Sequence, residues 1–115
     1  MKNVEKCGAQ GDVVFRRVSA VPEGFARVER NGPIVCAHSE TGHHHAIDDT
    51  GVVEYRGVDP LRCFLVFESA ERAEVVHHRH FDTHEALCLG GGIGAVWEVI
   101  RQREWAPEGW RRVED

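Results

Sequence analysis

All eight histidines of the chain fall in two windows of eight residues, and no other position carries one. The first window runs His38-Ser39-Glu40-Thr41-Gly42-His43-His44-His45, the second His77-His78-Arg79-His80-Phe81-Asp82-Thr83-His84. Both are internal, so neither reads as a purification tag. Imidazole ligates zinc, copper, iron and nickel, and two His-rich segments joined by folding can enclose one ion. The chemistry implied is binding of one divalent transition metal, zinc first, with iron, manganese or nickel as the other choices.

Spacing narrows the ligand set. Residues two apart on a strand share a face, so His43 and His45 project together and His44 projects the other way. Ile47 continues the face of the pair, which is therefore expected to look into the fold, leaving His44 toward solvent. In the second window His77 and His80 are three apart and converge only across a bulge, turn or kink. His78 and His80 share a face with Val76 on a plain strand, while Val75 shares one with His77. The pattern leaves both registers open. His38 lies beside Cys36 and Ala37 as either a hydrogen-bonded core histidine or a further ligand, and His44, His78 and His84 read as surface residues. The candidate carboxylates are Glu40, Asp48, Asp82 and Glu85. Glu40 is the catalytic candidate: a ligand, a general base on a metal-bound water, or an acceptor fixing an imidazole tautomer. A solvated turn residue is the plainer alternative.

The elements that must position these residues are mostly short strands. A chain of 115 residues is one domain, residues 1–115, large enough for a single core without disulfide staples. Its 42% hydrophobic and 29% charged residues exclude a disordered chain. Extended, turn-bounded runs are expected over residues 12–18, 25–29, 34–38, 43–47, 52–56, 61–68, 73–77, 86–89 and 95–103, with glycine supplying much of the punctuation. Sustained helical periodicity is lacking, and the tail is assigned a short C-terminal helix, with Pro107 in its first turn and residues 108–114 following. The fold class is all-β: a small antiparallel β-barrel or sandwich. Gly90-Gly91-Gly92-Ile93-Gly94 lacks the lysine and hydroxyl residue of a phosphate cradle and reads as a hairpin or bulge. Cys36, Cys63 and Cys88 sit in apolar runs and read as small buried hydrophobes, with a thiolate ligand from Cys36 or Cys88 as the minority alternative.

Charge and hydropathy bound the partners. A formal charge of −5 and a pI near 5.9 argue against a broad nucleic-acid surface. No run approaches the roughly 18 apolar residues of a membrane span, and the opening residues lack a signal-peptide stretch, so a cytoplasmic location is expected. A small-molecule ligand and a homo-oligomer are both compatible with the composition. In Arg101-Gln102-Arg103-Glu104-Trp105, alternation puts both arginines and the tryptophan on one face, either an anion-binding surface or, as preferred, a Glu-balanced exterior. Trp97 and Trp110 are expected core anchors.

Two resemblances bear on the site. A His-x-His strand pair inside an apolar β-barrel resembles the metal sites of cupin-like proteins. The likeness is architectural, because the later carboxylate and second histidine segment of cupins do not fall at their places here. The chain also resembles a family of small uncharacterised bacterial and phage proteins. That pattern matches Gln10-Gly11-Asp12-Val13-Val14, the first histidine window, Val76-His77-His78-Arg79-His80 and Arg101-Gln102-Arg103-Glu104-Trp105. Leu89-Gly90-Gly91-Gly92 replaces the family's Leu-Pro-Pro-Gly, and Trp105 stands where Tyr is usual. This resemblance selects His43, His45, His77 and His80 as ligands, with His38 as a fifth, and implies no activity. Three functions follow: a small metal-dependent enzyme with an open ligand position, a non-catalytic module with a closed four-histidine zinc site, or a metal-free assembly module with a pH-sensitive histidine cluster.

Overall fold

The computed structural model describes residues 1–29, 32–37, 44–78, 83–106 and 109–112, without the side chains of Ala37, His78, Thr83, His84 and residues from 103 onward. The chain forms β1 (Lys2–Val4), β2 (Cys7–Gln10), β3 (Val13–Val18), β4 (Ala26–Arg27), β5 (Ile34–Ala37), β6 (His45–Ile47) and β7 (Val52–Arg56). It continues with β8 (Arg62–Phe67), β9 (Ala73–His78), β10 (Thr83–Leu89), β11 (Val96–Arg101), β12 (Arg103–Ala106) and β13 (Gly109–Arg112). The described residues contain no helix, so none is long and apolar enough to cross a membrane.

Among the described residues the strands form three sheets. The first has the order β1-β10-β9-β6-β5, the second β2-β3-β11-β8-β7-β4, and β12 pairs with β13. The pairings are antiparallel except for β1 beside β10, which is parallel. Each large sheet turns alternate side chains inward, as the period of two requires. The first contributes Ile34, Ile47, Val75, Leu87 and Leu89 to the core, the second Phe15, Cys63, Leu65, Phe67, Trp97 and Val99. These residues form one continuous cluster, so the two large sheets share a single core. Burying each such side chain stabilises the fold by about 1.5–3 kcal/mol relative to leaving it exposed. Neither sheet closes into a barrel among the described residues.

The outer face of the second sheet is also covered. Glu98 of β11 accepts hydrogen bonds from Arg16 (2.6 Å) and from Arg62 Nε (2.8 Å) on the neighbouring strands. The Arg62 guanidinium in turn lies over the rings of Phe25 and Phe64, which meet edge to face at 4.8 Å. Central strand β11 is therefore buried on both faces, whereas β3 leaves Arg16 and Arg17 exposed.

The nine expected strands are present and the all-β class holds; most have shorter ends, the run at 52–56 is matched, and those expected at 73–77 and 86–89 extend to Ala73–His78 and Thr83–Leu89. The C-terminal helix does not. Gly109–Arg112 is a strand whose register sets Trp110 opposite Trp105 and Gly109 opposite Ala106. Two residues separate β12 from β13, the usual length of a tight hairpin connection, and Gly109 weakens a helix there. The glycine run is not a hairpin either, because β10 and β11 belong to different sheets. It is a crossover, fixed by the Gly90 N–H on the Val4 carbonyl (2.9 Å) and the Gly94 N–H on the Phe67 carbonyl (2.7 Å).

Gly51 marks a second close approach. Its carbonyl accepts from the amides of Glu68 and Ser69, and an added Cβ would lie 2.5 Å from the Ala70 nitrogen. Backbone cannot swing aside there as a side chain can. Gly51→Ala is expected to destabilise the fold by about 1–3 kcal/mol, the cost of forced overpacking, read from the shift in a urea unfolding midpoint.

Candidate functional site

Strands β6 and β9 are antiparallel neighbours with Ile47 opposite Val75, Ala46 opposite Val76 and His45 opposite His77. Directly opposed residues share a face. Ile47 and Val75 point into the core, so His45 and His77 do as well, at 1% and 0% exposure. Their rings stack, 3.8 Å between centroids and 11° from parallel. The same row continues outward: Ala37 of β5 stands opposite His45, and His84 of β10 opposite His77. The structure thus brings one histidine from each window into contact at one end of the first sheet.

The second sheet meets this row with three polar residues. Gln10 ends β2, opposite Val13, and only Gly11 and Asp12 separate β2 from β3. Gly11 has φ +60 and Asp12 is not in the left-handed region, the pattern of a two-residue hairpin turn with glycine at its first position. That turn presents Asp12 inward. Arg101 ends β11, also opposite Val13. The Arg101 amide donates to the Leu61 carbonyl and the Gln102 amide to the Asp12 carbonyl, which fixes the backbone on both sides of the cluster.

The hydrogen bonds of Gln10 orient its amide toward His45. The Gln10 amide nitrogen donates to the carbonyls of Val75 (2.9 Å) and Glu85 (3.0 Å), linking the second sheet to the first. Those partners can only accept, so the amide orientation is determined and the Gln10 Oε1 faces His45 Nδ1 at 2.9 Å. Nδ1 must carry a hydrogen. The other ring nitrogen, Nε2, faces Asp12 Oδ1 at 3.6 Å, longer than a hydrogen bond. Asp12 Oδ2 accepts from Arg101 Nε at 2.6 Å, an ion pair whose side chains are 1% and 5% exposed. Nearby, Arg56 donates to the carbonyls of Val35 and Cys36 and so ties edge strand β5 to the second sheet. Burial lowers the Arg56 pKa, but Cys63, Glu54 and Cys36 outweigh it and leave the pKa raised.

Stacked rings keep their nitrogen lone pairs in two nearly parallel planes. His45 and His77 do not converge on a point as they stand, and no group of three or more His, Cys, Asp or Glu among the described residues is arranged to hold a metal ion. One ring must turn about its side-chain torsions before both can touch one ion. A depression of 560 Å³ lined by Ala46, Val76, Asp48, Asp49, Glu74 and Pro33 lies on the opposite face of the sheet and does not reach the histidine pair.

The sequence pattern of a domain of unknown function, DUF8820, matches residues 9–102. The chain belongs to the DUF8820 family. No curated protein and no solved structure matches it. The DUF8820 span holds the whole cluster, with Gln10 and Arg101 close to its two ends.

Of the expected site residues, His45 and His77 are brought together. His38, Glu40, His43 and His80, like Asp82, lie outside the described residues. The register selects His77 as the inward residue of its strand, in line with Val75. Asp48 and Glu85 are exposed, and His44 is partly buried. Arg101 overturns the preferred exterior reading of its segment: it is buried because β11 ends there and its guanidinium pairs with Asp12 beneath the surface. Cys36, Cys63 and Cys88 are buried as expected. Reasoning from residue types missed Gln10, Asp12 and Arg101. The available signal was that two motif segments remote from the histidine windows, Gln10-Gly11-Asp12 and Arg101-Gln102, carried polar residues at the ends of apolar strands.

Proposed function

We propose that the chain is a small metal-binding protein with a multi-histidine site built around His45 and His77. The observation that carries this reading is the β6–β9 register, which sets one residue of each histidine window directly opposite the other. The segments holding His38, His43 and His80 join β5 to β6 and β9 to β10, and those four strands are neighbours in one sheet. The first window ends in this row at His45, and the second begins and ends in it at His77 and His84, so the histidines the windows carry are the natural further ligands. Neutral imidazoles suit zinc first, then iron, manganese or nickel. With three ligands an open position remains for water or a small molecule, the arrangement of a metal-dependent enzyme, and Glu40 is then the nearby base in sequence. A sandwich of cupin-like character is the architecture this reading favours.

The second reading rests on the parallel stack. Two rings stacked face to face suit a packed, metal-free histidine pair, and the chain is then a binding or assembly module.

Elemental analysis of untagged protein separates the two. About one equivalent of a transition metal is expected in the wild type, lost in His43→Ala with His80→Ala, which leaves the buried pair intact. Failure of the wild type to take up Zn²⁺, Fe²⁺, Mn²⁺ or Ni²⁺ removes the metal reading and leaves the module. Metal retained in the double variant removes those two residues from the site.

A further inference from the structure

We infer that Cys36 and Cys63 are an oxidation site: on meeting a peroxide they form a disulfide that joins edge strand β5 to the second sheet. The inference is independent of the metal-binding reading.

The two cysteines come from different sheets and meet in one place. Cys63 lies on β8, in the inward row with Leu65 and Phe67, at 0% exposure, and Cys36 lies on β5 at 4%. Both belong to the shared core, and neither is in a disulfide. The Cys63 thiol donates to the Cys36 carbonyl, with the sulfur 3.8 Å from the oxygen. A carbonyl oxygen stands about 2.4 Å from its own Cα, so the Cys63 sulfur is no more than about 6 Å from the Cα of Cys36. A disulfide bridges Cα atoms about 4.4–6.8 Å apart, and a sulfur this near the other residue needs only small side-chain and strand adjustments to pair.

The local structure explains the close approach. Val35 pairs with Ala46 and Ala37 with His45, so Cys36 is the extra residue of a β-bulge, which bends the strand. Arg56 of β7 stands directly opposite Cys63 and shares its face, and its guanidinium passes over to the Val35 and Cys36 carbonyls. Burial lowers the Arg56 pKa, whereas Cys63 and Cys36 both raise it, so each sulfur lies within electrostatic reach of the cation. Glu54 holds the same guanidinium at 2.6 Å. Access comes from the edge: β5 has four residues and ends its sheet, paired with β6 alone, and such strands open locally with little loss of free energy.

The chemistry balances with hydrogen peroxide as oxidant. One thiol gives up its proton and attacks the peroxide, the O–O bond breaks, and a sulfenic acid forms while the departing hydroxide takes that proton. The second thiol attacks the oxidised sulfur; the S–S bond forms, the S–O bond breaks and water leaves. Two electrons pass from the sulfurs to the peroxide, and two waters result. His38 follows Cys36 by two residues, so the bond would fix the strand from which the first histidine window starts.

The test uses the full chain with Cys7→Ser, which removes the exposed thiol. It is treated with graded hydrogen peroxide, once folded and once while refolding from urea with one equivalent, so that access and geometry are read separately. Remaining thiols are alkylated and the unreduced chain is mapped with trypsin. Cleavage after Arg30, Arg56, Arg62 and Arg79 puts Cys36, Cys63 and Cys88 on separate peptides. The Cys36–Cys63 linked peptide is expected, with Cys88 alkylated. The linked chain is expected to have an unfolding equilibrium constant about 30- to 700-fold below the reduced chain, from urea titration. Linkage in either treatment with that gain supports the assignment. Cys36 and Cys63 recovered unlinked from both treatments, or either one paired with Cys88, would overturn it, as would a linked form no more stable than the reduced one.

Discussion

Asp12→Ala alone, measured on metal-free protein, is expected to cost about 3–5 kcal/mol of stability, the loss seen when one partner of a buried ion pair is removed. Domains of this kind are stable by only about 5–15 kcal/mol, so much of the margin disappears. The reason is what remains. Arg101 is 5% exposed at its side chain, and without the carboxylate its guanidinium stays charged, since arginine does not give up its proton in proteins. Solvent cannot replace the lost partner at that depth. Replacing both residues by apolar ones of similar volume, Asp12→Leu with Arg101→Met, is expected to recover most of the loss, because the desolvation of two charges is then avoided. Urea unfolding of the two variants beside the wild type checks this. A single variant as stable as the double would show that the pair reaches water.

Trp97→Ala is expected to cost about 3–5 kcal/mol, as large aromatic truncations in a packed core do. Trp97 has 0% exposure and sits on central strand β11, with Leu65 on one side and Arg17 on the other. Its loss opens a cavity that strands held on both edges cannot close. The indole N–H also donates to the Gly90 carbonyl at 3.0 Å, so the side chain pins the crossover from β10. Trp97→Phe keeps most of the volume and loses the hydrogen bond, and about 1–3 kcal/mol is expected for the carbonyl left unpaired. Denaturant midpoints for the two variants separate volume from hydrogen bond; equal losses would mean that the cavity contributes little.

Much of the fold was legible because strand chemistry is local. Val13 and Phe15 alternate with more exposed neighbours, and Asp48-Asp49-Thr50-Gly51 announces a turn. Strands β1 and β2 were not legible: each buries one residue, Val4 and Gln10, and three- or four-residue runs owe their conformation to distant partners. The tail misled because Pro107 fits the first turn of a helix while Gly109 fits a hairpin, and only the pairing of β12 with β13 decides between them. In the site, the His-x-His period and Ile47 gave the inward face of His45. Period could not decide between His77 and His78; that required knowing β9 pairs with β6. Asp12 and Arg101, 89 residues apart, each resemble a solvated strand end when viewed alone. Their burial is a property of the pair.

The strand order of the second sheet has a consequence for synthesis. Strand β11 lies between β3 and β8, so residues 96–101 must leave the ribosome before either can pair on that side. Until then the nascent sheet exists as two fragments, β2-β3 and β8-β7-β4, each showing a bare, apolar-rich edge. Open edges of this kind recruit strands from other chains. The interval between translation of Phe67 and Arg101 is the period in which this chain most needs a chaperone, and slowing elongation there should favour aggregation over folding.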